Sequence, residues 1–276
     1  IDVRQPRLSW RIESDEQNVI QTAYHILVAS SPELLEQGKG DIWDSGKIES
    51  DASQWITYQG KTLKCNAPYY WKVKIDTNKG ATNWSAPAFW TTGLFNEADW
   101  QGQWIGLDRT APGDSETQWS RLAARYLRKE FAVKKSVKRA TVHIAGMGLY
   151  ELFINGQRIG NQVLAPAPTD YRKTILYNTY DVTSLLQTEN AIGVTLGNGR
   201  FYTMRQNYKP YKIPTFGYPK LRLNLIVEYA DGSKETIATN TSWKLTTEGP
   251  IRSNNEYDGE EYDARKELGA WTQTGY

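Results

Sequence analysis

The sequence holds one cysteine, Cys65, and two histidines, His25 and His143. One cysteine excludes an intrachain disulfide and leaves the redox compartment undetermined. Zinc and copper sites draw on several nitrogen or sulfur ligands, so this scarcity argues against either metal. Both histidines lie in strand-like runs, AYHILVAS and ATVHIAG, and read as strand residues rather than ligands. Calcium, which takes oxygen ligands, stays open as a cofactor. Charge of one sign is also lacking. The 33 Lys and Arg against 31 Asp and Glu give a net +2, which points to neither nucleic acid nor an anionic membrane. No apolar run approaches the roughly 18 residues that span a bilayer, so membrane insertion is not expected. The opening IDVRQPRLSW has no initiator Met, basic n-region or apolar h-region, and reads as a mature or trimmed N-terminus.

What is present is mostly strand. In YYWKVKID, Tyr69, Trp71, Val73 and Ile75 alternate with Tyr70, Lys72, Lys74 and Asp76, the period of a half-buried strand. AYHILVAS places Tyr24, Ile26 and Val28 on one face. Turn-rich breaks (EQGKGD, SDASQ, TNKGATN) separate such runs, and SPELLEQGKG is the only helix candidate in the first part. Strands at this spacing predict an all-β chain. With 276 residues there is room for two domains. The boundaries read as a sandwich over 1–97, a linker over 98–118, a second sandwich over 119–270 and a connecting segment over 271–276.

The second part shows hairpins. Tyr150, Leu152 and Ile154 share a face before Asn155-Gly156, and Leu221, Leu223, Leu225, Val227 and Tyr229 alternate up to Asp231-Gly232. Both dipeptides suit a type I′ turn. NAIGVTLGNG ends in a Gly-Asn-Gly loop, where the backbone can turn sharply or approach a ligand. DVTSLL (181–186) reads as one helical turn. Together these predict a jelly-roll of about eight strands.

Several ordered segments carry a resemblance. RQPRLSWRIES, QTAYHILVAS, DIWDSGKIES, YYWKVKI and WQGQWIG resemble the fibronectin-III-like (Ig-like) N-terminal module of bacterial α-L-rhamnosidases, glycoside hydrolase family 78. LYELFINGQRIGNQVLAPAPTDYRKTILYNTYDVTSLL, NAIGVTLGNG and NNEYDGEEYDAR resemble that family's N-terminal β-sandwich, a jelly-roll of galactose-binding-like type. The resemblance implies a hydrolase that releases terminal α-L-rhamnose with inversion, with its catalytic acids in an (α/α)6 barrel beyond these sandwiches. No segment here shows the repeated long amphipathic helices of such a barrel. The chain is thus expected to be an accessory region, inactive alone, in a periplasmic or extracellular bacterial enzyme of polysaccharide degradation. Its expected partners are its own C-terminal catalytic domain and rhamnose-containing glycans. Some relatives use the second sandwich as a rhamnose-binding module with calcium, which is the alternative reading. Family members more often carry Trp after Gly-Asn-Gly, where Arg200 stands here.

Three chemistries compete for the acid-rich stretch NNEYDGEEYDAR (254–265). A glycosidase needs two carboxylates about 5–9.5 Å apart, and sequence spacing does not show any pair facing across a sugar. Calcium takes six to eight oxygens, but the stretch lacks the EF-hand frame. The structural reading is favoured. Arg265 would bridge carboxylates, Asn254 would satisfy backbone groups at a strand end, and Asp258, Glu260 and Asp263 would serve the fold or a domain interface. Sugar recognition wants planar polar groups beside an aromatic face, which selects Asp170 and Tyr171 in PAPTDYRK and Asn198, Arg200 and Tyr202 in GNGRFY. The alternative is two self-bonded turns. Arg172 and Lys173 beside Asp170 disfavour a metal there. Trp10, Trp71 and Trp84 are expected to pack in or against the first core. The sequons at Asn83 and Asn240 are treated as accidental.

Overall fold

The computed structural model describes residues 1–109, 122–202, 216–256 and 259–276. The chain divides into two compact units, Ile1–Asp99 and Trp100–Tyr276.

In the first unit, β1 (Arg7–Leu8) pairs with β4 (Ile56–Thr57) as a two-stranded ribbon. A second, antiparallel sheet has the order β3-β2-β5-β6, formed by β2 (Gln21–Ala29), β3 (Trp43–Glu49), β5 (Pro68–Thr77) and β6 (Gly80–Ala81). β7 (Ala88–Thr91) also pairs with β5. The expected face of β2 turns inward: Ile26 and Val28 join Leu8, Tyr58, Tyr69 and Val73 in the core, with Trp10 and Trp71 packed against it.

The other face of the sheet is covered as well. Helix α1 (Pro32–Glu36) starts at Ser31, whose hydroxyl accepts the Leu34 N–H, and carries Pro32 in its first turn, where the missing donor costs nothing. Its Leu35 packs on Leu27 and Ala29, with Trp84 against them. This cover corrects the simple alternation read for β5. Lys72 is only 9% exposed. Its stem is buried, its ammonium donates to the Leu35 carbonyl at 2.6 Å, and the Trp84 ring lies 5.0 Å away.

The second unit is a sandwich of two antiparallel five-stranded sheets. One has the order β13-β10-β15-β16, from β10 (Val137–Met147), β13 (Tyr177–Asp181), β15 (Lys220–Tyr229) and β16 (Lys234–Ala238), with β8 (Ile105–Gly106) on β15. The other has the order β12-β11-β14-β9-β17, from β9 (Arg125–Ala132), β11 (Leu149–Ile154), β12 (Gln157–Ile159), β14 (Glu189–Gly197) and β17 (Lys244–Thr246). β18 (Ile251–Asn255) and β19 (Gly259–Tyr262) form a separate hairpin. Among the described residues the two sheets hold ten strands where about eight were expected, because short strands such as β8 and β17 carry too few residues to show a period. The predicted inward rows of β11 and β15 meet in one core with Val142, Ile144, Val194 and Leu196.

The turns separate the two hairpins. Asn155 (φ 50°) and Gly156 (φ 84°) both take positive φ, as a type I′ turn requires. At Asp231-Gly232 only Gly232 does (φ 83°). Glu228 pairs with Lys234, and the Tyr229 N–H donates to the Ser233 carbonyl, which makes a longer loop. The Asp231 carboxylate accepts the Ser233 N–H and the Lys135 ammonium, a tie that dipeptide composition does not reveal. DVTSLL contributes a single 3-10 turn, Thr183–Leu185.

Two segments read as connectors are integrated into the second unit. Ile105–Gly106 is a strand of its sheet, while residues 110–118 of the expected linker lie outside the described residues. At 271–276, the Arg128 guanidinium donates to the carbonyls of Trp271 (2.9 Å), Gln273 (2.8 Å) and Tyr276 (3.0 Å). A buried cation that collects three carbonyls holds the segment on the sandwich.

Candidate functional site

The fold brings four segments to one end of the second sandwich: the 170–173 turn, the loop after β14, residues 216–218 and the end of β18. Tyr171 meets Phe201 edge-on at 5.2 Å and Phe216 at 5.3 Å, while Phe201 and Phe216 stack at 6.0 Å. Tyr202 stacks on Tyr218 at 5.8 Å. Beside them Trp104, Met147, Phe201, Phe216 and Tyr218 line a cleft of about 440 Å³. The Asp108–Lys220 ion pair, at 3.0 Å, stands in its wall. An aromatic cleft with a few polar groups at its margin suits a ligand that has one apolar face.

Glycine makes the approach after β14 possible. A Cβ at Gly197 would stand 2.8 Å from the Asn254 Oδ1, and one at Gly199 (φ 47°) would stand 2.8 Å from Leu149. The close backbone approach read from Gly-Asn-Gly is therefore to Asn254 and Leu149 of the same sandwich.

The sugar-recognition candidates take different places. Asn198 is 3% exposed. Its amide donates to the Asn254 carbonyl at 2.7 Å and to the Leu122 carbonyl at 3.3 Å. Its Oδ1 is buried without a hydrogen-bond partner among the described residues. Arg200 is exposed and pairs with Glu256 at 2.5 Å. Tyr202 is buried in its stack. Asp170 accepts from Arg172 at 3.0 Å, and its backbone carbonyl accepts the N–H groups of Lys173 and Thr174. The Arg172 guanidinium holds the Asp170 carboxyl below its ordinary range. Tyr171 contributes a ring to the cluster and keeps its hydroxyl buried without a hydrogen-bond partner among the described residues. Burial pushes its phenol up, and the Glu256 charge adds to that.

The acid-rich stretch is a hairpin arm and a cap. Glu256 is held by Arg200, and Glu260 is exposed on β19 opposite Asn254. Asp258 lies outside the described residues. Asp263 caps the 3-10 turn Ala264–Lys266, with Arg265 bidentate to it at 2.8 Å through both nitrogens. This contact brings the Asp263 carboxyl down to about 2. Among the described residues Arg265 is thus paired with the one carboxylate of Asp263, where bridging of several was expected, because the two side chains are two positions apart at the same cap. Asn254 satisfies backbone groups, as its position implied.

These electrostatics bear on catalysis. A general acid must keep a carboxyl protonated near neutral pH, which requires a pKa raised by burial or by a like charge. Among the described residues every carboxyl with a shifted pKa moves down: Asp44, Glu130, Asp170, Glu228, Asp231 and Asp263. The described residues of these loops gather few acidic ligands for a metal. Asp170 is paired with Arg172 and lies near Lys173, and among the described residues no group of three or more His, Cys, Asp or Glu is gathered.

Trp104, Met147, Phe201, Phe216 and Tyr218 were missed by sequence reasoning. Trp104 stood inside the supposed linker, and Phe201 reads as an ordinary loop residue until the fold sets Phe216 against it.

Comparison with known proteins agrees with this architecture. Residues 135–276 match the α-L-rhamnosidase N-terminal domain, and residues 1–96 match the Rha78A-like N-terminal immunoglobulin domain. An α-L-rhamnosidase of Formosa agariphila is 39% identical over 100% of this chain and 31% of its own length. One from Alteromonas sp. is 35% identical over 98% of this chain and 30% of its own length. The solved α-L-rhamnosidase from Dictyoglumus thermophilum superposes with a TM-score of 0.89 at 40% identity, covering 100% of this chain and 31% of that one. A Streptomyces avermitilis α-L-rhamnosidase complexed with L-rhamnose superposes at 0.86, with 25% identity and 42% of its chain covered. The chain spans about a third of the length of the first of these relatives. With both of its sandwiches matched in order, it belongs to the α-L-rhamnosidase family.

Proposed function

We propose that these residues form the non-catalytic N-terminal region of an α-L-rhamnosidase and serve as a platform for a catalytic domain elsewhere in the same protein. The observation that carries this reading is the alignment of the whole chain with about 30% of rhamnosidases longer than itself. The described carboxylates support it, since those with shifted pKa values are held ionised by cations and backbone donors. On this reading the complete protein cleaves terminal α-L-rhamnose with inversion, using two carboxylates outside these residues, in a periplasmic or extracellular setting. The 276-residue chain should release no nitrophenol from nitrophenyl α-L-rhamnoside. Turnover abolished by Glu260→Gln would overturn the reading.

A second reading has its own observation, the aromatic cleft beside Tyr171, Phe201 and Phe216. A 6-deoxy sugar such as L-rhamnose has a methyl group and an apolar ring face that would stack there, making the sandwich a carbohydrate-binding module. Titration calorimetry with L-rhamnose, in calcium and then in chelator, tests it. Heat in both conditions is expected of a calcium-independent module, and a flat trace in both would sink it.

A further inference from the structure

Trp55 is 64% exposed and stands at φ +60°. That backbone region is unfavourable for a bulky L-residue, and it persists only where the surroundings over-determine it. The surroundings here do so. The Trp55 N–H donates to the Ser9 hydroxyl at 3.0 Å, and the Trp10 N–H donates to the Ser53 carbonyl at 3.0 Å. Beneath the loop, Gln21 is only 3% exposed. Its amide donates to the Ser50 carbonyl at 3.0 Å and the Ala52 carbonyl at 2.9 Å, while its Oε1 accepts the Trp10 indole N–H at 2.9 Å. A buried side-chain network thus holds the 50–55 loop from below and presents an indole to water.

Arg7 completes the arrangement. Its guanidinium lies over the indole at 4.5 Å. β1 and β4 are paired so that Arg7 faces Thr57, while Leu8 and Ile56 turn to the core. Trp55 precedes β4, and its ring contact with Arg7 sets it on the same outward side as that guanidinium. One indole face is backed by the cation, and the high exposure leaves the rest to solvent. A rigid indole offers a stacking surface to the C–H face of a pyranose, and an adjacent exposed guanidinium offers paired donors to a carboxylate. The rigidity also spares a ligand the cost of ordering the loop.

We propose that Trp55 and Arg7 form a surface site for an acidic glycan, in which one pyranose stacks on the indole face opposite the guanidinium and the carboxylate of a neighbouring uronate meets the guanidinium past the indole edge. The site belongs to the first sandwich and does not rest on the function proposed above.

The test runs the 276-residue chain in native gels at physiological ionic strength, cast with polygalacturonate or with neutral dextran. Polygalacturonate is expected to retard the chain and dextran is not. Trp55→Gly should weaken retardation about tenfold while unfolding at the same temperature or higher, because glycine is at ease at positive φ. This variant changes no charge, so it separates stacking from general attraction to a polyanion. Arg7→Gln should also lose retardation, whereas Lys138→Gln, an equal loss of charge in the second unit, should not. A parent chain that runs unretarded in polygalacturonate overturns the assignment. So does a Trp55→Gly chain retarded as strongly as the parent, or equal effects of Arg7→Gln and Lys138→Gln.

Discussion

The Asn254 side-chain oxygen accepts the backbone N–H of Asn198 at 2.6 Å, and the Asn198 amide donates in return to the Asn254 carbonyl at 2.7 Å. This reciprocal pair joins the loop after β14 to the β18–β19 hairpin, 56 residues apart in sequence. It brings Arg200 to Glu256 and sets Phe201 at the aromatic cleft.

Asn254→Ala should therefore destabilise the second sandwich. It strands a buried N–H and removes the acceptor that orders the loop, which costs about 2 kcal/mol. Urea unfolding reads the loss directly, and a midpoint equal to the parent's would refute the pairing.

Arg128 offers a second test. It is 8% exposed, and its partner Glu130 in turn accepts the Gly275 N–H at 2.8 Å. Arg128→Met keeps the stem but abandons the carbonyls of 271, 273 and 276. We expect about 2 kcal/mol of destabilisation and faster amide exchange confined mainly to 271–276.

His143 should make stability depend on pH. Burial, assisted by the Arg139 cation, brings its imidazole down from 6.5 to about 4. The fold favours the neutral ring, so the unfolded chain binds the extra proton between pH 6.5 and 4. This contribution is fully present above pH 6.5 and is lost as pH falls towards 4, amounting to about 3 kcal/mol. His143→Gln should flatten that part of the profile, as measured by urea midpoints at pH 7 and pH 4.

Arg200→Trp tests the sugar-binding reading. Loss of an exposed ion pair should move stability by less than about 0.5 kcal/mol. An added indole at the cleft should tighten L-rhamnose about tenfold in calorimetry. No heat from either protein would count against binding at this end.

Much of the architecture was legible because sheets record themselves locally. The alternation of Leu221 to Tyr229 and the Asn155-Gly156 turn each need only a short window of sequence. The site was legible in part. Sequence marks Tyr171 and Arg200 as candidates for sugar recognition and Asn254 as a strand-end residue, yet the partners of Arg200 and Asn254 lie far along the chain. Asn198 had the composition of a ligand-facing amide, but the fold uses it to tie two loops together. Trp55 shows no sequence signal at all, since its meaning comes from a positive φ and from Gln21 beneath it.

The sequence by itself determined an all-β chain of two units and the inward rows of the long strands. Those properties follow from side-chain period and turn chemistry, which act between near neighbours. Tertiary structure decided which acids are neutralised, which aromatics gather at a cleft and which Trp remains in water. Each of these depends on contacts between residues tens of positions apart, where register and loop closure, rather than local preference, select the partner.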